Sequence, residues 1–332
     1  MSFSSSHLLF MFTLLLGTTL SISSTSWFGV WIGLELNLMS FIPIISLKNN
    51  QYSSEAALKY FLIQALGSSV IILSASLLLI NNLSSNLFLA AALLLKAGAA
   101  PFHFWFPSVM EGLQWPQAIM LMTIQKVAPL SLLSYLENST HPILTSAIIL
   151  SALIGAIGGI NQTLLRKIMA YSSINHMAWM ISAMMVSETS WLIYFLFYSF
   201  LASSIALLFN FQDAYHISHI FNHTSSQPEI KMLTFMSLLS LGGLPPFSGF
   251  IPKWFIIQEL SSSNMFMTLL VLLLSALLTL FYYLRISTSA LMLSDLKNKW
   301  LIKQPSLSPT ISLLTFFNFI GLFGPSLFIL TM

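Results

Sequence analysis

The chain has 332 residues, of which 56% are hydrophobic and only 6% charged, with a formal net charge of +3. Soluble domains carry about 25% charged residues, so a water-soluble enzyme or a nucleic-acid-binding module is excluded and a polytopic membrane protein remains. With no cysteine the chain forms no disulfide and ligates no iron–sulfur cluster through thiolate, and no G-x-G-x-x-G fingerprint follows a strand-like run.

Apolar runs near the roughly 20 residues that a helix needs to cross a bilayer recur from end to end. They predict an all-α fold with about eleven transmembrane helices, at 7–22, 27–47, 58–80, 84–106, 116–135, 143–163, 170–187, 190–211, 232–260, 265–285 and 308–330. The first run has the length of a signal peptide, but Met1 to Ser6 lacks the basic residues of one, so it reads as a retained span. The second, WIGLELNLMSF, carries Glu35 at depth.

The fourth span, LFLAAALLLKAGAAPFHFWFP, holds Lys96 followed by the helix-breaking Gly98 and Pro101. A charge at the centre of a membrane helix costs about 2.5–3.5 kcal/mol on insertion scales, which marks Lys96 as functional. His103, seven residues on, shares the face of Lys96 if the helix continues, and is a candidate channel-lining residue. The fifth span places Lys126 in MTIQKVAPL, and the seventh opens on AYSSINHMAWM, whose His176 is a second channel-lining candidate. Asp213, His216, His219 and His223 follow at helical spacing, and read as a solvated or interfacial face rather than a metal site.

The ninth span contains GGLPPFSGFIPK, in which Pro245, Pro246, Gly249 and Pro252 are expected to open the helix into two halves beside Lys253. Irregular backbone at that depth persists only where protein buries it or where it lines water. The fourth and ninth spans lie five crossings apart and so run in opposite directions. Interrupted helices at matching places in two oppositely oriented halves are the pattern of an inverted repeat. The repeats are expected at 1–137 and 143–288, with an inside loop and the last helix at 289–332.

Charge placement orients these spans. Of 12 Lys and Arg, three fall within spans, and the other nine (Lys48, Lys59, Arg166, Lys167, Lys231, Arg285, Lys297, Lys299 and Lys303) gather on one side. The positive-inside rule then puts the N-terminus inside and, after an odd number of crossings, the C-terminus outside. Glu35, Lys96, Lys126 and Lys253 form a candidate proton relay, because a lysine exchanges protons near neutrality only where burial penalises its charged form.

Over nearly its whole length, through SWFGVWIGLELNLMSFIPI, SSEAALKYFLIQAL, LLLKAGAAPFHFWFPSV, LRKIMAYSSINHMAWM and LSLGGLPPFSGFIPKW, the chain resembles the antiporter-like subunit family of respiratory complex I, the proton-pumping NADH:ubiquinone oxidoreductase. Within it the likeness is to the subunit 2 branch in its short animal form, arthropod-like in sequence. Any one motif alone also fits the related antiporter-like subunits 4 and 5. The resemblance implies a mitochondrially encoded, multi-pass subunit of the inner membrane, with the N-terminus in the matrix and the C-terminus in the intermembrane space. It further implies that Glu35 is the family's key glutamate, that Lys96 and Lys253 are the lysines of the two broken helices, and that Lys126 is the central lysine between them. No cofactor is expected on this chain, since NADH, FMN, iron–sulfur clusters and ubiquinone belong to other subunits of such a complex. Expected partners are a neighbouring antiporter-like subunit, other membrane subunits, accessory subunits and lipids. The rival readings are a stand-alone cation/proton antiporter, disfavoured because no membrane Asp is present to compete for sodium, a haem protein using His103 and His176, and a structural spacer.

Overall fold

A backbone that crosses hydrocarbon has no water to bond, so apolar runs satisfy their own N–H and C=O groups as helices. The computed structural model describes residues 5–46, 50–78, 85–223 and 228–292, and among these residues it is helical without strands, apart from one isolated bridge between Leu164 and His216. The helices are α1 (Ser5–Ser23), α2 (Trp27–Ser46), α3 (Gln51–Leu78), α4 (Ser85–Ala97), α5 (Trp105–Gly112), α6 (Trp115–Met122), α7 (Ile124–Ser134), α8 (Glu137–Ile160), α9 (Leu165–Met184), α10 (Glu188–Phe211), α11 (Ile217–His223), α12 (Pro228–Gly242), α13 (Phe250–Ser262) and α14 (Phe266–Met292). They fall into two compact units, Met1–Ser151 and Ala152–Met332, with α8 running through the division.

The first ten expected spans each coincide with a helix or a pair of helices; the span at 308–330, together with Lys48, Lys297, Lys299 and Lys303, lies outside the described residues. Six helices, α1, α2, α3, α8, α10 and α14, are long and apolar enough to cross a bilayer, which makes this a multi-pass membrane protein. The α3 helix begins at Gln51 rather than near 58, because a polar turn carrying a Glu55–Lys59 ion pair at i, i+4 extends it. The expected fifth span is two helices, α6 and α7, interrupted at Thr123 (φ −113°, ψ −81°).

Burial follows the two solvents. In the first unit α1 turns Leu8, Leu9, Phe12 and Leu15 outward, as a lipid-facing helix does, and packs its other side on α2 through Gly17 and Gly33. A Cβ added at Gly33 would stand 2.6 Å from the Ser21 amide nitrogen and 2.8 Å from the Gly17 carbonyl oxygen, so this crossing tolerates only glycine and brings the two backbones into contact. In the second unit α9 is the buried axis. All of its residues except Arg166, Lys167 and Tyr171 are buried, against α10, α13 and α14. Its Ser172, Ser173, Asn175 and His176 therefore face protein rather than lipid.

Candidate functional site

The first break begins where glycine, not proline, stops the helix. Gly98 adopts φ +75°, its N–H donates to the Leu95 carbonyl at 3.1 Å, and the next N–H, of Ala99, reaches back to the Leu94 carbonyl at 3.1 Å. These two bonds are the Schellman pattern that ends helices in a left-handed residue. Side chains add to this: Trp105 Nε1 is a second donor to the Leu95 carbonyl, at 3.0 Å, and Gln64 Nε2 donates to the Lys96 carbonyl at 3.3 Å. Three of the four carbonyls at this helix end, those of Leu94, Leu95 and Lys96, are thus bonded within the protein. The chain resumes as α5, after a cis Ala100–Pro101 peptide. Because α4 has ended, His103 does not share a helical face with Lys96. It lies in the break, with Nδ1 3.2 Å from the Pro101 carbonyl and its ring 4.2 Å from that of Phe104.

Lys96 and Lys126 line one small cavity of about 20 Å³, together with Asn37, Tyr60, Gln64 and Gln125. That volume holds about one water, and these polar groups supply the partners a buried water requires. Both lysines are buried, at 5% and 2% exposure. The Tyr60 hydroxyl donates to Gln125 Oε1 at 3.2 Å, and Gln125 Nε2 donates to Asn37 Oδ1 at 2.8 Å, tying α2, α3 and α7 together around the cavity. Lys126 Nζ stands 5.0 Å from the centre of the Phe106 ring, a cation–π distance. Glu35, half-buried on α2, acts on Lys96 electrostatically without an ion-pair contact.

The second break repeats the chemistry of the first. Gly243 has φ +80°; its N–H donates to the Ser240 carbonyl at 3.0 Å, and the Leu244 N–H to the Leu239 carbonyl at 3.4 Å. Pro245 and Pro246 follow in the extended segment, and Gly249 precedes α13, where any Cβ would run into the Ser240 carbonyl oxygen. Pro252 does not open the helix. It sits in the first turn of α13, where the missing N–H costs no hydrogen bond. Lys253, 7% exposed, bends back and donates from Nζ to the Gly242 carbonyl at 2.8 Å and to Leu241 at 3.5 Å. An ammonium group on the last carbonyls of α12 meets the negative end of that helix's dipole. The same Nζ lies 6.0 Å from the centre of the Trp179 ring, and Trp179 stacks in parallel on Tyr194. His176 Nδ1 is 2.8 Å from the Tyr194 hydroxyl.

The first unit therefore brings Lys96 and Lys126 to one cavity with Glu35 nearby, whereas Lys253 and His176 belong to a separate aromatic cluster in the second. Asp213, His216, His219 and His223 do not form one helical face, because Asp213 has φ +47° and α11 starts only at Ile217. Sequence reasoning missed Asn37, Tyr60, Gln64 and Gln125. The signal for three of them was available, as uncharged amides inside apolar runs.

The sequence model of the family described as NADH:quinone oxidoreductase/Mrp antiporter, TM, matches residues 24–279. NADH-ubiquinone oxidoreductase chain 2 of Anopheles gambiae is 48% identical over 96% of this chain and 96% of its own, and that of Aedes aegypti is likewise 48% identical with the same coverage. Among solved structures, a chain of respiratory complex I from Thermus thermophilus with bound Aureothin superposes with a TM-score of 0.85 at 23% identity, over 97% of this chain and 78% of that one.

Proposed function

This chain belongs to the NADH-ubiquinone oxidoreductase chain 2 family, within the wider NADH:quinone oxidoreductase/Mrp antiporter family, and from that premise we propose that it is a proton-translocating subunit of the complex I membrane arm. The observation that carries the reading is the pair of buried lysines on one water-sized cavity. A buried ammonium is strongly disfavoured unless it is compensated, and lipid gives no reason to keep two of them beside three amides and a phenol. A site that alternately holds and releases a proton does. In this reading Glu35 biases Lys96, a water in the cavity links Lys96 to Lys126, and Lys253 continues the relay in the second unit, with His103 and His176 as lining groups. Lys126 is its central member.

The finer features belong to the same proposal. The eleven spans form inverted repeats at 1–137 and 143–288, with 289–332 as the inside loop and last helix. The presence of the same glycine-ended break in each half supports this. The chain lies in the mitochondrial inner membrane with its N-terminus in the matrix, carries no redox centre, and leaves NADH, FMN, iron–sulfur clusters and ubiquinone to other subunits. It contacts a neighbouring antiporter-like subunit, accessory subunits and lipids. Lys126→Met in the assembled complex tests the core of this. Proton uptake per NADH oxidised by reconstituted complex should collapse, and a wild-type ratio in assembled variant would refute the relay.

A further inference from the structure

The second unit contains buried polar atoms that the relay as described does not use. The hydroxyls of Tyr282 and Tyr283, both at 0% exposure, and the indole N–H of Trp179, at 1%, close no hydrogen bond within the protein. An unpaired buried donor is costly, and native structures keep few of them without a reason, an ordered water being one. Trp179 lies on α9, and Tyr282 and Tyr283 are neighbours on α14, which packs against α9.

Their placement is serial. At one end Lys253 faces the Trp179 ring, and Trp179 stacks on Tyr194, whose hydroxyl meets His176 Nδ1. The His176 ring lies 5.0 Å from that of Tyr198. Next, Ser173 and Ser172, whose hydroxyls donate to the Ala170 and Met169 carbonyls, stand beside Tyr198 and Tyr283. The Tyr283 hydroxyl faces the side chains of Ser172 and Tyr282, and the Tyr282 ring packs on Gly159, where a Cβ would stand 2.8 Å from it. Two residues beyond Tyr283, Arg285 donates to the Gln162 carbonyl at 3.0 Å, at the end of the unit that carries Arg166 and Lys167. From Trp179 to Arg166 the series spans about 20 Å at 1.5 Å per residue.

We propose that Tyr282 and Tyr283 are proton-relay residues in a water-bridged path that runs along α9 from the Lys253–Trp179 contact, past His176 and Tyr198, to the basic end of the second unit. This rests on the proton-translocating reading above and adds residues to it. A phenol both donates and accepts. As a proton arrives on its oxygen from a bridging water, its own O–H bond breaks toward the next water, and rotation of the hydroxyl resets it. One proton enters and one leaves, with no net charge left on the ring. Trp179 donates only, so it orients a water rather than relaying.

Tyr282→Phe with Tyr283→Phe, in the whole assembled complex, tests this beside Lys126→Met. Phenylalanine keeps both rings and their packing, so assembly should be unchanged. Proton uptake by reconstituted complex should fall about tenfold, less than the 10²–10⁴ typical of a lost acid–base group because water bridges part of the gap. Normal uptake in the tyrosine variant while Lys126→Met abolishes it would overturn the path and leave the proposed function standing; normal uptake in Lys126→Met would overturn the function itself. Failure of the tyrosine variant and of Tyr282→Phe alone to assemble would also overturn the path, since the hydroxyls would then be structural.

Discussion

Two adjacent glycines at the end of α12 should respond oppositely to the same substitution. Gly243 has φ +80°, and a Cβ there would lie 2.8 Å from Lys253 Cδ and 2.9 Å from its Nζ. Alanine in the left-handed region costs about 1–2 kcal/mol. The clash then drives Lys253 off the Gly242 carbonyl, to which it now donates at 2.8 Å, and a hydrogen bond from a charged group contributes about 1.5–3 kcal/mol. Together these amount to about 3 kcal/mol or more, a roughly hundredfold shift away from the present position of Lys253. Gly242 has no positive φ, and its nearest foreign atom would be Tyr283 Cδ2 at 3.7 Å, an ordinary contact. Alanine there stays within about 1 kcal/mol of wild type, with helix propensity in its favour. The assay is the yield of assembled complex on native gels together with NADH-driven proton uptake in liposomes. Gly243→Ala should lose uptake and part of its assembly, and Gly242→Ala should keep both. Equal behaviour of the two variants would refute the claim that the break holds Lys253.

Gln125→Leu removes the partner of both the Tyr60 hydroxyl and Asn37 Oδ1; at about 1–3 kcal/mol for each orphaned group, thermal unfolding of the purified complex should begin at a lower temperature and proton uptake should slow, and an unchanged variant would show the amide network to be idle. Glu55→Gln should do neither, because the Glu55–Lys59 pair, at 2.6 Å with side chains 61% and 45% exposed, contributes under about 0.5 kcal/mol; a clear loss of thermal stability would contradict this.

The sequence makes the membrane helices legible through run length alone, since every crossing must be apolar and about 20 residues long. It is less informative at the breaks, where it exposes the chemistry but not the residue that acts. Pro245, Pro246 and Pro252 draw the eye, yet Gly243 ends α12 and Pro252 sits inside α13. The interruption at Thr123 has no adjacent glycine or proline, so local propensity gives no warning of it. The lysines are legible because charge in a membrane is costly wherever it falls. The Tyr60–Gln125–Asn37 chain is not, because its bonds join residues 65 and 88 positions apart, and only the fold sets such pairings. His103 shows the converse: its seven-residue spacing from Lys96 had meaning only for a helix that Gly98 stops.

Counting charges in the sequence sets three buried lysines against Glu35, and leaves two of them to be kept neutral or to be met by a carboxylate of an adjoining subunit. Within this chain the surroundings of Lys253 are dipolar. Lys253 rests on the carbonyl end of α12 and the face of Trp179, and no carboxylate of the described residues lies at ion-pair distance from it. A carboxylate in contact would strongly favour the charged form and hold the proton in place, whereas carbonyl dipoles and a ring face compensate an ammonium more weakly and let it go. Substitution at Lys253 separates relay from scaffold. Arginine keeps a cation for the α12 carbonyls but does not deprotonate in proteins. Methionine keeps the apolar stem and has no charge. If Lys253 only caps α12, Lys253→Arg should pump normally and Lys253→Met should lose assembly. If it relays protons, both variants should assemble enough to oxidise NADH, and both should show reduced proton uptake per NADH in liposomes. Normal uptake by either assembled variant would remove Lys253 from the path.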